Sequence, residues 1–442
     1  MELDSKSRKY EGLNRFKTVW IGQLLSLFGS NLTGFGLSVW VYQQTGSPAQ
    51  FGFIIAAAFV PILLLSPIAG IVADRYSRKR VMLFGDLLAG FSTLIMATLY
   101  FVGVLEIWHI FVAVLVISTG SAFQIPAYAA MIPQLVRREH LVRANGLVSL
   151  AEGTAQLIAP AIAGFILSSI GLGAILIVDL VTVVIALVCL SFARTVVSVQ
   201  TTKEETDKKP LMHISSFIDS LRFLKRMPAI LILIILFSVN NVVFGVIQTL
   251  IAPYMLGFAS TQLYGLVLSF GSIGMIVGSI IISIWSKIKR KIFVILTFNG
   301  LLGIALAVLA SLPNLIIIST AMFVAFLSVP FIDTPAKTIV QTVVPERMHG
   351  RIFAVRNLLE SAGIPIGATI SGPLAENFFE PAMMLGGSLT PYFGWLVGEG
   401  TGRGIALMFL LCGLVMILAT ILISISKKVR NTENTIPSAV SL

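Results

Sequence analysis

The sequence contains few charged residues: Asp, Glu, Lys and Arg make up 12% of its 442 residues, whereas hydrophobic residues make up 56%. Soluble domains carry about 25% charged residues, so this composition excludes an ordinary soluble domain and indicates a membrane protein. A helix needs about 20 apolar residues to cross roughly 30 Å of hydrocarbon. The chain has twelve such segments, and the predicted fold class is an all-α membrane protein of twelve transmembrane helices.

The sequence also has little of what catalytic and metal sites are built from. Its two cysteines, Cys189 and Cys412, lie inside apolar segments, which gives no support for a disulfide or a metal site. The four His residues are scattered, and no Walker nucleotide-binding loop occurs. We therefore expect no enzymatic activity, no cofactor, no metal and no use of ATP.

The positive charges lie on one side of the predicted membrane. If the N-terminus is cytoplasmic, the 31 Lys and Arg residues fall in the termini, in the even-numbered gaps between helices or, for Lys337, inside a helix; Arg403 is the exception. This positive-inside bias predicts a multi-pass cell-membrane protein with cytoplasmic N- and C-termini. The net charge of +11 then reflects topology, and we expect no nucleic-acid partner because no soluble domain presents a basic surface.

A polar stretch divides the chain almost in half. Residues 197–227 are predicted to be a cytoplasmic linker, and within it residues 211–227 have the pattern of an amphipathic helix on the membrane surface. Residues 1–196 then form an N-terminal six-helix bundle and residues 228–442 a C-terminal six-helix bundle.

The two halves repeat each other, which predicts two pseudo-symmetric bundles with a substrate site near the membrane midplane. A shift of 208 residues pairs Gly70 with Gly278, Arg143 with Arg351, Glu152 with Glu360 and Gly164 with Gly372.

The loop after the second segment contains the stretch GIVADRYSRKR. It is close to Gly-x-x-x-Asp-Arg-x-Gly-Arg-Arg/Lys, the loop signature of the major facilitator superfamily, with Ser77 in place of the second Gly. Together with the two sets of six segments, this motif resembles that superfamily over nearly the whole chain. The stretches TVWIGQLLSLFGS, QQTGSPAQ, PAYAAMIPQLV and GEGTGRGIALMF resemble its drug- and siderophore-export branch, which includes the macrolide-efflux proteins.

The resemblance implies that this loop is a latch at the cytoplasmic ends of the helices. Asp74 would accept hydrogen bonds from nearby Arg side chains and face a helix N-terminus near Gly350–Arg351, which would favour the outward-open state by about 1–3 kcal/mol. The alternative is that these charges only fix the topology. The residues assigned to this gating loop are Gly70, Asp74, Arg75 and Arg78.

The fifth segment carries small residues at four-residue spacing, AEGTAQLIAPAIAG. This stretch resembles the exporters' helix-five motif, with Ala in place of several Gly. Small residues on one stripe let helices approach closely, and the stripe is interpreted either as a sliding surface between the halves or as ordinary packing. Its residues are Ala155, Ala159, Pro160 and Gly164.

Ionisable side chains inside a membrane are functional candidates by default. Glu152 lies near the midplane of the fifth helix, Glu360 occupies the repeated position, and Asp333 precedes Lys337 by the i,i+4 spacing of a helical ion pair. Desolvation disfavours the charged form of a carboxylate, so such a group could carry a proton across, or it could attract a cationic drug. Asp333 and Lys337 could instead form a neutralised structural pair.

Other polar residues have weaker assignments. Asp86 and Asp179 lie nearer the membrane faces and are interpreted as cap or inter-helix contacts, and the fourth segment lacks the Arg that is prominent in many proton antiporters of the superfamily. Residues on the first and seventh helices are candidates for lining a cavity, although hydrogen bonds between helices account for them equally well. These residues are Gln23, Asn31, Asn240, Asn241 and Gln248.

The predicted function is proton-coupled secondary export, by antiport and alternating access, of an amphiphilic small molecule across a bacterial inner membrane. The cargo is either a macrolide-like drug, in which case export confers antibiotic resistance, or an endogenous peptide or siderophore product. The alternatives are a lipid or lysophospholipid flippase of the same fold and a membrane sensor that does not transport. The expected partners are the small-molecule substrate, protons and the lipid bilayer, and we expect a monomer.

Overall fold

The computed structural model describes residues 2–136, 140–192, 222, 227–285, 288, 290–310, 313–343 and 349–425. These residues form helices and no β-strand, which confirms the all-α prediction. The first half contains α1 (Glu2–Thr45), α2 (Pro48–Arg75), α3 (Arg78–Val102), α4 (Ile107–Leu135), α5 (Leu141–Ser169) and α6 (Leu172–Phe192). The second half contains α7 (Pro228–Leu256), α8 (Thr261–Ile284), α9 (Lys291–Leu309), α10 (Leu315–Val343), α11 (His349–Ser361), α12 (Gly363–Leu374), a π-helical turn (Ala375–Phe379), α13 (Glu380–Met383), α14 (Thr390–Val397) and α15 (Arg403–Ile425).

Eleven helices of the described residues are long and apolar enough to cross a membrane, namely α1 to α10 and α15. The eleventh predicted segment, centred near residue 363, is not one helix but two consecutive ones, α11 and α12, with a break at Ala362. The break coincides with Gly363 and Pro365 at the start of α12, and Gly and Pro are common causes of sharp helix kinks. Counted together, α11 and α12 bring the number of segments to the predicted twelve.

The chain divides into two compact units. The first unit lies within Met1–Thr45, Ala56–Asp207 and Thr261–Leu266, and the second within Gly46–Ile55, Lys208–Ser260 and Val267–Leu442. The predicted amphipathic helix over residues 211–227 lies outside the described residues except for its positions 222 and 227.

Helices pair in the same way inside each half of the chain. In the first half, α1 packs on α5 and α6, while α3 packs on α4 and α6. In the second half, α7 packs on α11, α12 and α15, while α9 packs on α10 and α15. Each pairing of the first half recurs in the second half between the helices six segments later in the chain, when α11 and α12 are counted as one segment. The packing therefore agrees with the repeat predicted from the sequence.

Each half has its own apolar core. Buried Met82, Met131 and Leu190 join α3, α4 and α6 in the first unit. Buried Leu236 and Ile295 join α7 and α9 in the second unit. These cores hold the helices that carry the polar and charged side chains described next.

Candidate functional site

The second unit contains a cluster of four charged side chains. Asp333 and Lys337 lie on α10, and Arg356 and Glu360 lie on α11. Arg356 donates from Nε to Oε1 of Glu360 at 2.6 Å, at the i,i+4 spacing of one helix. Arg356 is buried, with its side chain 5% exposed, and its guanidinium carbon lies 5.2 Å from the ring centre of Phe237. A cation over an aromatic face in a desolvated place is stabilised by the ring quadrupole.

The two residues of α10 complete this cluster without closing a salt bridge of their own. Asp333 is half-buried and interacts electrostatically with Lys337 and Arg356, whereas the Lys337 side chain is exposed. Within the described cluster, Arg356 and Glu360 form a salt bridge. Asp333 and Lys337 interact electrostatically over a longer distance. Two acids and two bases are therefore held together, and one base stays accessible.

Arg356 was not among the residues predicted from the sequence. By charge alone it counts as part of the basic loop before the eleventh segment, but the structure places it inside α11 and buries it. Its Nη1 atom has no hydrogen-bond partner in the described structure. The signal that could have found it is the Arg-x-x-x-Glu spacing from Arg356 to Glu360. This unpaired guanidinium N–H is buried, so it lacks both a protein partner and bulk water.

Glu152 stands apart from any described base. It lies eleven residues after the start of α5, which corresponds to about 16 Å along the helix axis. Its side chain is exposed, and it interacts electrostatically with the hydroxyl of Tyr128 on α4. The depth of Glu152 in the membrane stays a prediction, and its side chain is exposed.

Asp86 is the centre of a hydrogen-bonded group in the first unit. It is buried on α3, where Gln124 of α4 donates from Nε2 to Oδ1 at 2.6 Å and Gln23 of α1 donates from Nε2 to Oδ2 at 3.3 Å. Both carboxylate oxygens therefore have an amide donor. Asp86 is an inter-helix contact, as expected, and Gln23 is accounted for by this group.

Asp179 makes a second inter-helix contact, between α6 and α3. Thr93 donates from Oγ1 to Oδ2 of Asp179 at 2.9 Å, and both residues are buried. The expected role of Asp179 as an inter-helix contact also agrees with the structure.

The remaining polar candidates are bonded in different ways. Asn31 and Asn241 each donate to the carbonyl of the residue four positions earlier in their own helix, Leu27 at 2.8 Å and Phe237 at 2.9 Å. Gln248 is half-buried, and its Oε1 atom has no hydrogen-bond partner in the described structure.

Asn240 belongs to a chain of hydrogen bonds across three helices of the second unit. It donates from Nδ2 to Oδ1 of Asn299 on α9 at 2.6 Å, and Asn299 donates to Oγ1 of Thr420 on α15 at 2.8 Å. Asn299 is fully buried. These neutral contacts join α7, α9 and α15.

The gating loop is described only in part. Arg78 donates from Nη1 to the carbonyl of Ala130 on α4 at 2.9 Å, Arg75 is exposed, and Gly70 is half-buried. The side chains of Asp74 and Arg351 are not described, although the backbone at Gly350–Arg351 forms the start of α11. The latch stays a prediction.

The small residues of α5 lie in close contacts between helices, which both interpretations of the stripe require. Ala155 and Ala159 are fully buried, and Ala159 contacts Leu32 of α1 within an apolar cluster. Gly164 lies against the first turn of α8, where an added Cβ would be 2.8 Å from the carbonyl oxygen of Thr261. Pro160 lies along the same edge, since its carbonyl faces Gly265.

The repeated position of this stripe has an equivalent environment. Gly372 lies against the first turn of α2, where an added Cβ would be 2.6 Å from the carbonyl oxygen of Pro48. Glu376, one turn later, accepts hydrogen bonds from the hydroxyl of Ser47 at 2.5 Å and from the N–H of Ala49 at 3.3 Å. Each half thus places a glycine of its fifth helix beside the start of an even-numbered helix.

Glu380 holds the start of α15. Its two carboxylate oxygens accept the N–H groups of Gly402 at 2.9 Å and Ile405 at 2.8 Å, which are among the N–H groups that a helix start leaves unpaired. Replacing Glu380 by Ala is expected to lower the free energy of unfolding by about 1–2 kcal/mol, because both N–H groups lose a charged acceptor.

Thermal unfolding of the purified protein in detergent measures this effect as a lower midpoint. The control is Glu399→Ala, which removes an exposed carboxylate near the same helix start. Equal midpoints for the two variants would show that the cap contributes nothing.

Comparison with known proteins gives a consistent result. Residues 19–368 match the family model described as Major Facilitator Superfamily. The chain is 24% identical over 364 residues to macrolide efflux protein A of Streptococcus pyogenes, covering 82% of this chain and 89% of that protein. It is 25% identical over 369 residues to the multidrug efflux pump Tap of Mycolicibacterium fortuitum, covering 80% and 89%.

A solved structure has the same fold. A crystal structure of a mutant nucleoside transporter, NupG, superimposes with a TM-score of 0.73 at 15% sequence identity, covering 92% of this chain and 99% of that one. The described residues contain no group of three or more His, Cys, Asp or Glu side chains that could hold a metal ion.

Proposed function

We propose that this chain, which belongs to the Major Facilitator Superfamily, is a proton-coupled exporter of amphiphilic small molecules. As a member of that superfamily it is a multi-pass membrane transporter of small molecules and not an enzyme. The finer proposal is that an inward flow of protons drives the cargo out of the cell by alternating access. The cargo is a macrolide-like drug or an endogenous peptide or siderophore product.

The observation that carries the proposal is the similarity to a macrolide efflux protein over 82% of this chain. Similarity to a multidrug efflux pump over 80% of the chain supports the same branch. The placement of accessible charges in the membrane-spanning helices is consistent with transport of a polar or amphiphilic cargo, because such charges are costly in lipid and are retained for function.

In the second unit, Glu360, Asp333 and Lys337 are proposed to bind the cargo or the proton, together with Arg356. The exposed Lys337 can donate to an ester, ketone or hydroxyl oxygen of the cargo, whereas the buried Arg356 holds the Glu360 carboxylate by its salt bridge.

In the first unit, Glu152 is proposed to bind the proton or a cationic part of the cargo. Its exposed carboxylate has no described base beside it, so the group is free to exchange a proton or to pair with a ligand. We further propose that both termini are cytoplasmic and that residues 1–196 and 228–442 form the two bundles. Asp74 is proposed to act as the latch at the cytoplasmic ends of the helices.

The proposal is tested in everted membrane vesicles that contain the protein. An inside-acid pH gradient is expected to drive uptake of labelled erythromycin above the level of vesicles without the protein, and nigericin, which dissipates that gradient, should abolish the difference. Glu152→Gln is expected to lose this gradient-driven uptake, because the neutral amide can neither exchange a proton nor pair with a cation.

Glu399→Gln serves as the control, since it neutralises an exposed carboxylate outside the long helices. Uptake by the wild-type protein at full rate with the gradient collapsed would contradict proton coupling. Movement of labelled lysophospholipid in place of erythromycin would indicate a flippase.

A further inference from the structure

The buried carboxylate of Asp179 lies where α6 meets α1 and α3. Its side chain is 3% exposed. Oδ2 accepts the hydrogen bond from Thr93 of α3 at 2.9 Å, and the hydroxyl of Thr33 on α1 faces the same carboxylate. Thr182, one turn later on α6, donates to the main-chain carbonyl of Asp179 at 2.8 Å and so supplies nothing to the carboxylate.

Two oxygen atoms at this place lack a hydrogen-bond partner in the described structure: Oδ1 of Asp179 and Oγ1 of Thr33. Thr33 is 4% exposed, so neither atom has bulk water as a substitute partner. A buried polar atom without a partner is costly, and a buried unpaired charge is far more so. A proton on the Asp179 carboxylate removes the buried charge, and the Thr33 hydroxyl, which can donate or accept, can pair with the carboxylate in either protonation state.

No described base is placed to neutralise Asp179. The helices packed on α6 are α1, α3 and α5. Within the described span of α6, the ionisable residues are Asp179 and Cys189. Arg80 is thirteen residues before Thr93, about 20 Å along α3. Lys79 donates to the carbonyl of Ser191, twelve residues after Asp179 on α6. The ionisable side chains of α3, of α5 and of α1 from Phe16 onward are Lys17, Tyr42, Arg78, Lys79, Arg80, Asp86, Tyr100, Arg143 and Glu152.

The second half has a neutral group on the equivalent three helices. There α7, α9 and α15 are joined by Asn240, Asn299 and Thr420, at other depths along the helices than Thr33, Thr93 and Asp179. The Oδ1 atom of Asn240 also lacks a partner, but an amide carries no charge there. Amides and hydroxyls are therefore sufficient to join these helices, so packing alone does not require an acid at position 179.

Asp86 shows how a carboxylate is bonded when both of its oxygens are satisfied. It lies seven residues before Thr93, on the same face of α3, and accepts from Gln23 and Gln124, one amide on each oxygen. Asp179 has one donor and one unpaired oxygen. Because their environments differ, Asp86 is suited to stay ionised and Asp179 is suited to bind a proton.

We propose that Asp179, together with Thr33 and Thr93, is a proton-binding site, and that the coupling proton of the exporter passes through it. The binding of a proton at Asp179 is inferred from the local geometry. The coupling of that proton to export rests on the proposed function. The proton sits on Oδ1 of Asp179 and is donated to Oγ1 of Thr33, while Thr93 holds Oδ2. Loss of the proton leaves a buried negative charge with no described base beside it, which favours a rearrangement of α1 against α6.

Infrared difference spectroscopy between acidic and alkaline buffer detects the protonated acid directly in the full-length protein in lipid nanodiscs. The carbonyl band of a carboxylic acid is expected in the wild-type spectrum, to be lost in Asp179→Asn, and to persist in Asp86→Asn, the matched variant of an equally buried acid. Thr33→Val is expected to move the midpoint of the band's pH titration, because the protonated acid loses its acceptor.

Transport provides the second readout. Asp179→Asn is expected to lose gradient-driven erythromycin uptake in everted vesicles yet to keep exchange of erythromycin without a gradient. If the wild type shows gradient-driven uptake and Asp179→Asn retains both the uptake and the infrared band, the inference is overturned and the proposed function stands. If the band is lost in Asp179→Asn but the wild type shows no gradient-driven uptake, the proposed function is overturned and proton binding at Asp179 is supported.

Two further outcomes decide the remaining cases. A band that responds to Na⁺ at constant pH, with uptake that requires Na⁺, would show a sodium site and overturn the inference. If Asp179→Asn is not recovered as a folded protein, the Thr33→Val titration decides, and an unchanged midpoint overturns the inference.

Discussion

Replacing Arg356 by Met is expected to destabilise the protein by about 3–5 kcal/mol, because Glu360 keeps its negative charge in a desolvated place and loses its partner. The salt bridge is 2.6 Å long, and the side chains of Arg356 and Glu360 are 5% and 13% exposed. A loss of this size is a large part of the stability of a typical protein. The measurements are the yield of monodisperse protein from size-exclusion chromatography and the midpoint of thermal unfolding.

The double variant Arg356→Met/Glu360→Gln is expected to recover most of that loss, since no unpaired charge then remains buried. Lys337→Met is the matched control, because it removes the exposed base of the same cluster and should leave the midpoint nearly unchanged. If the single and double variants were equally unstable, the damage would come from lost packing of the Arg side chain over Phe237 and not from the charge.

Adding one methyl group at Gly367 is expected to have the second largest effect. In the second unit α12 packs on α7, and a Cβ at Gly367 would overlap the carbonyl oxygen of Val242. Main-chain atoms cannot move aside as a side chain can, so the two helices must separate. Gly367→Ala is expected to cost about 1–3 kcal/mol, the usual range for overpacking, and to lower the midpoint of thermal unfolding.

The control for this variant is Gly153→Ala on α5, where an added Cβ meets no atom within 4 Å. Ala is preferred over Gly inside a helix by roughly 0.5–1 kcal/mol, so Gly153→Ala should leave the midpoint unchanged or raise it. A drop in midpoint for both variants would point to a general effect of the substitution. Equal tolerance at both positions would show that α7 and α12 are not in close contact.

The sequence was sufficient to predict the fold because hydrophobic length and charge placement are properties of single segments. The repeat was also predictable. The shift that pairs Gly164 with Gly372 corresponds in the structure to two glycines packed beside the first turns of α8 and α2. The break at Ala362 was not predicted, since the apolar pattern continues through it and only Gly363 and Pro365 mark it.

The site was less predictable because its contacts join different segments. Arg356 follows a basic loop in the sequence, and nothing in its neighbourhood shows that α11 has begun and that α7 covers the side chain. Asp86 and Asp179 were correctly interpreted as inter-helix contacts. Their difference in bonding depends on which faces of α1, α3 and α6 meet, and a single sequence does not contain that information.

The neutral contacts of Asn240, Asn299 and Thr420 have a consequence for how the protein is made. Lipid tails do not drive apolar helices together, so polar side chains across helices help to fix their register in a bilayer. The translocon inserts α7 and α9 before α15 has been synthesised, and until then the amide of Asn299 lacks its acceptor on Thr420. A polypeptide released early keeps that donor unpaired in hydrocarbon. Completion of these contacts therefore depends on α15, which is synthesised after α7 and α9.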